Sequence, residues 1–112
     1  MWLITDFGFF SVVQKPGDAK DGALTVRARV KADLERLRDL HLPGLGPISE
    51  SKVNDYRFRA RAPRSEVAAA MAKAVDAIGY DNFKSQVRKT QGPAREDVLH
   101  RVWHDLYRLQ RP

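Results

Sequence analysis

The chain has 112 residues, 43% of them hydrophobic, and sets 20 Lys and Arg against 14 Asp and Glu for a net charge of +6. It has no cysteine, which excludes a disulfide framework, a thiolate nucleophile and a cysteine metal site. A chain of this size buries roughly two thirds of its unfolded surface in one core, so a single domain over residues 1–112 is predicted, and the excess of cations either draws it to polyanions or keeps it soluble.

The opening MWLITDFGFF has no basic region ahead of its apolar run, and charged residues interrupt every apolar stretch. Neither a secretory signal nor a membrane span is predicted, and a cytoplasmic setting is expected. Within this aromatic and β-branched segment, FFSVV at 9–13 reads as a central strand with apolar side chains on both faces, and Gly8 as a bulge or turn. KPGDAKDGA at 15–23 has loop chemistry and joins that strand to an antiparallel neighbour. In LTVRARVK at 24–31, Leu24, Val26, Ala28 and Val30 share one parity and Thr25, Arg27, Arg29 and Lys31 the other, the period of a half-buried strand.

From Ala32 the period becomes helical through Leu34, Leu37 and Leu40, with Asp33 and Glu35 near the positive end of the dipole, until LPGLGP at 42–47 stops it. A second hairpin follows. ISESKV at 48–53 alternates weakly, Asn54 and Asp55 supply turn residues, and YRFRARA at 56–62 sets Tyr56, Phe58, Ala60 and Ala62 opposite Arg57, Arg59 and Arg61. Pro63, Ser65 and Glu66 open a helix with the stripe Val67, Met71, Ala74, Val75 and Ile78, which Gly79 closes. A short helix around 82–89 and a longer one from Pro93, striped by Leu99, Val102, Trp103, Leu106 and Leu109, complete the chain.

Strand–strand–helix thus occurs twice, with VRARVKADL and FRARAPRSEV in equivalent places. Either the two halves are a repeat, or two amphipathic strands coincide. The predicted fold is α+β: a four-stranded antiparallel sheet from two ββα units with helices packed on one face, plus the C-terminal helices.

Such a sheet leaves Arg27, Arg29, Lys31, Arg57, Arg59 and Arg61 on its other face. If Phe7, Phe9, Ser11 and Val13 share that face, rings and guanidinium groups combine as in sheets that bind single-stranded nucleic acid. With five phosphate contacts the salt slope would be roughly −3.5, on the order of a hundredfold between 50 and 200 mM salt. Two rivals stand beside this reading. The cations form a solvated face partly neutralised by Glu50, Asp55 and Asp6, or the face is buried against a second copy or a protein partner, to which planar guanidinium groups are suited.

His100 and His104, four apart on a helix, offer two metal ligands, but only Glu96 or the distant His41 would complete a set, so no metal is expected. The same pair with Lys84 and Tyr107 has the chemistry of a metal-independent ribonuclease, His moving protons and Lys steadying the charged phosphorane. GYDNFKSQVRK at 79–89 carries Lys84, Arg88 and Lys89 at helical spacing, a solvated face or a second anion-contacting surface. DFG at 6–8 has no room for a kinase around it, and no GxSxG, Walker loop, GxGxxG or HExxH occurs, so no cofactor is expected.

In order and spacing, Met1-Trp2, Gly8-Phe9-Phe10-Ser11, Val26-Arg27-Ala28-Arg29-Val30, Asp55-Tyr56-Arg57, Asn82-Phe83-Lys84 and His100…Trp103…Tyr107 resemble a widespread family of short, uncharacterised bacterial proteins. The resemblance implies a bacterial, cytoplasmic setting and carries over no catalytic residue. The residues themselves point to a non-enzymatic binding module whose ligand is nucleic acid. An oligomerising or partner-binding module is the alternative, and a small ribonuclease the third reading.

Overall fold

In a computed structural model, which describes residues 1–111, the chain divides into two compact units, one from Met1 to Ile78 and one beginning at Gly79. The first unit is α+β. Its strands are β1 (Trp2–Thr5), β2 (Gly8–Val13), β3 (Ala23–Ala28), β4 (Ser49–Glu50) and β5 (Phe58–Pro63), and its helices α1 (Asp18–Asp21), α2 (Lys31–Leu40) and α3 (Arg64–Asp76). All neighbouring strands are antiparallel, in the order β1-β2-β3-β5-β4.

The sheet has five strands where four are predicted. The added one is β1: Asp6 and Phe7 form a tight turn, so Trp2–Thr5 folds back on Gly8–Ser11 in the register Trp2 to Ser11 and Thr5 to Gly8. The predicted loop at 15–23 contains the single turn α1, closed by Gly22 in the left-handed conformation at φ 64°. At the far edge only Ser49 and Glu50 form a ladder with β5, because Pro47 has no N–H to continue it, although Gly46 N donates to Arg61 O at 2.8 Å and Ser51 N to Arg57 O at 2.8 Å.

The two arginine-bearing strands pair as their parity predicts. Leu24, Val26 and Ala28 lie opposite Ala62, Ala60 and Phe58, and these residues join Phe10 and Val12 on the face covered by helices. Leu34 and Leu37 of α2 and Val67 and Ala70 of α3 complete this core, with Leu42 and Leu45 filling in from the loop after α2. Alanine at 28, 60, 62 and 70 lets helix backbones approach the sheet closely, and each of the four is almost wholly buried.

Phe7 departs from expectation. As a turn residue it obeys no strand parity, and it packs into the core against Phe10 and His41, at ring-centroid separations of 5.7 and 4.9 Å. The same turn is fastened to α2 by Asp33, whose buried carboxylate accepts from Phe9 N at 3.0 Å and from the Arg36 guanidinium, while Arg36 Nε donates to Phe7 O at 2.8 Å. Gly8 makes this fit possible: a Cβ there would lie 2.8 Å from Asp33 Cβ and Cγ and from Phe10 Cζ.

The second unit is a helical hairpin of α4 (Phe83–Gln91) and α5 (Pro93–Tyr107), followed by a 3₁₀ turn over Arg108–Gln110. The Asn82 side chain caps α4 by accepting from Ser85 N at 2.8 Å, and Gly92 followed by Pro93 separates the helices. Val87 and Leu99 are its buried apolar residues. Among the described residues no helix is long and apolar enough to cross a membrane.

Candidate nucleic-acid interface

Directly paired residues of a sheet project to the same side, so the register fixes which side chains share the face opposite the helices. One row crosses the whole sheet: Trp2 pairs with Ser11, Ser11 with Arg27, Arg27 with Arg59, and Arg59 with Ser49. The next row holds Val13, Thr25 and Arg61. Ile4 and Phe9 pair on the same side at the β1–β2 end.

At the centre of the first row Arg27 of β3 and Arg59 of β5 stand directly opposite one another. Arg27 donates to Ser11 Oγ at 2.7 Å, yet the Nε atoms of both Arg27 and Arg59 are buried with no hydrogen-bond partner. Tyr56, predicted to point inward with Phe58, crosses instead to the cationic side. It can do so because β5 starts only at Phe58, so Tyr56 is free of strand alternation. The guanidinium carbons of Arg27 and Arg29 both lie 4.5 Å from its ring centroid, a contact worth about 1 kcal/mol each. Arg29 also donates to the Asp55 carbonyl at 2.8 Å, while the Asp55 carboxylate accepts from Tyr56 N. An aromatic line continues outward from Tyr56 to Phe9 at 6.3 Å and from Phe9 edge-on to Trp2 at 5.6 Å.

The other predicted cations are placed differently. Arg61 is held by two carboxylates, its Nε donating to Asp18 at 2.9 Å and an Nη to Asp21 at 2.8 Å. Asp18 is buried and also accepts from Lys15 N and from Thr25 Oγ1, each at 2.8 Å. The Lys15 amide, then the Thr25 hydroxyl and the Arg61 guanidinium, hold its carboxyl below the ordinary value against the opposing effect of burial. Asp21 and Asp18 in turn push the Arg61 pKa up. Arg57 precedes β5 and pairs with Glu50 at 2.6 Å. Lys31, predicted as a strand residue, is the first residue of α2, because β3 ends at Ala28. Among the described residues, the ion pairs of this face engage Arg57 and Arg61 and leave Arg27, Arg29 and Arg59 uncompensated. Beside Arg59 an open groove of about 430 Å³ runs between Lys15, Thr25, Pro47 and Ser49.

In the helical hairpin, Lys84 and His100 come together: Nζ lies 3.2 Å from Nδ1. Lys84 also sits 4.6 Å above the Trp103 ring, His100 stacks on the same ring at 5.6 Å, and Tyr107 packs against it at 5.6 Å. His104 is exposed one turn further on, and among the described residues no three His, Asp or Glu side chains group as metal ligands. Of the basic patch at 79–89, Arg88 pairs with Glu96 at 3.3 Å.

Sequence reasoning missed Trp2, Tyr56 and Asp18 as parts of the sheet face. Nothing in the alternation marked the first, since Trp2, Leu3 and Ile4 are all apolar. Comparison with protein families, with curated proteins and with solved structures finds no match for the chain.

Proposed function

We propose that the chain is a small basic binding module whose open sheet face takes the phosphates of nucleic acid, with Arg27, Arg29 and Arg59 as its contacts. The observation that carries this reading is the opposed pair Arg27 and Arg59. Like charges directly across a ladder destabilise a sheet, and each buried, unpaired Nε forfeits its hydration. A phosphate offsets the like-charge repulsion, because guanidinium groups bind it through paired, charge-assisted hydrogen bonds. The surplus of +6 over the chain draws such a ligand in. Arg57 and Arg61, neutralised by Glu50, Asp18 and Asp21, set the edges of the face and contribute little to attraction.

The test is a fluorescence-anisotropy titration of labelled single-stranded oligonucleotides. Arg27→Glu combined with Arg59→Glu abolishes binding and leaves the circular-dichroism spectrum intact; unchanged affinity in a folded double variant rejects the reading.

A second reading, a homo-oligomer, is favoured by α5. Its Val98 and Leu106, and Leu109 of the following 3₁₀ turn, are 54%, 54% and 81% exposed. Two copies laid along α5 cover this apolar stripe. Light scattering decides: a dimer mass that Leu106→Arg reduces to a monomer supports it, and a monomeric parent protein rejects it.

A further inference from the structure

Trp2 is 67% exposed on the edge strand β1, in the row that leads through Ser11 to the Arg27 and Arg59 pair. A single exposed apolar residue needs no explanation by itself. This one is held in place: its ring meets Phe9 at 90° and 5.6 Å, Phe9 leans on Tyr56, and Tyr56 carries the guanidinium groups of Arg27 and Arg29. The same line of rings therefore fixes both the exposed indole and the two cations. Across the ladder Trp2 stands two strand spacings, about 10 Å, from Arg27 and three, about 14 Å, from Arg59.

We infer that Trp2 is a base-stacking platform, so that the ligand of this face is a single strand lying across the β-strands, one base on the indole and its phosphates on Arg27 and Arg59. The inference rests on the proposed phosphate-binding role of the arginines and goes beyond it by selecting the strandedness of the ligand. A duplex keeps its base faces within its own stack and offers Trp2 nothing, whereas every unpaired base has a face that stacks on an aromatic side chain. A ring fixed before binding loses less freedom on stacking than a mobile one. Ser11, buried beneath the Arg27 guanidinium, and Ser49 flank the arginines in the same row and add no bulky side chain to it.

The experiment compares three DNA probes of equal length, an intact single strand, an abasic single strand and a duplex, by anisotropy with the unaltered chain, Trp2→Ala and Trp2→Phe. The expected result is a loss of at least about fivefold in affinity for the intact strand in Trp2→Ala. Trp2→Phe restores most of it, and the abasic strand and the duplex bind the parent and Trp2→Ala equally. In a Trp103→Phe background, which leaves Trp2 as the one tryptophan of the two in the sequence, the intact strand quenches emission and the abasic strand does not. Equal binding of intact and abasic strands, unaffected by Trp2→Ala, overturns the platform while the arginine reading stands. Failure of the parent protein to bind any of the three overturns both.

Discussion

Arg27 and Arg59 stand directly opposite one another on β3 and β5, and each keeps a buried Nε without a partner. Such an arrangement opposes folding, so removing one member relieves the unligated protein. Arg59→Leu is expected to leave the urea midpoint unchanged or to raise stability by up to about 1 kcal/mol. The same variant reduces the salt slope of nucleic-acid binding by about 0.7, the share of one phosphate contact on a single strand. A clear fall in stability would mean that the pair supports the sheet.

The carboxylate of Asp18 gathers three donors, the Lys15 amide, the Thr25 hydroxyl and Arg61 Nε. Its pKa lies below the ordinary 3.8 in the folded protein, so its contribution to stability is fully present above about pH 4. That contribution is lost as pH falls through the lowered folded value. Urea unfolding across pH 2–7 should show a drop in midpoint below pH 4 that is larger in the parent than in Asp18→Asn. Parallel curves would show that Asp18 is not linked to folding.

Gly8 lies where the β1–β2 turn meets α2, with no room for a methyl group beside Asp33 and Phe10. Gly8→Ala is expected to cost about 1–3 kcal/mol by overpacking, lowering Tm by at least about 5 °C for a unit of this size. Asp33→Ala, which removes the obstructing carboxylate together with its bond to Phe9 N, does not restore the parent Tm. A Tm unchanged in Gly8→Ala would show that the turn shifts freely.

The paired strands at 24–28 and 58–62 were legible in the sequence because one side of each is buried and alternation is then enforced residue by residue. Residues outside the ladders escaped that logic. Phe7 went to the core from a turn and Tyr56 to the cationic face from the approach to β5. β1 was hidden because Trp2, Leu3 and Ile4 are consecutive apolar residues with no alternation to mark a strand. The neutralisation of Arg61 had no local signal at all, since Asp18 is 43 positions away and reaches it only after the sheet forms. Lys84 and His100, 16 positions apart, meet because α4 and α5 fold into a hairpin, which helical spacing within either segment does not reveal. The six cations of one stripe therefore resolve into two paired with acids, one at a helix start and three with uncompensated charge.

That last distinction sets the most direct measurement. Affinity for a single-stranded oligonucleotide, followed from 50 to 200 mM salt, should fall about twentyfold with a slope of roughly −2, the value for three phosphate contacts. Arg27→Glu combined with Arg59→Glu should show no measurable binding over the same range. A slope near −3.5 in the parent would return Arg57 and Arg61 to the binding surface, and a flat parent titration, or no binding at any salt, would contradict the account.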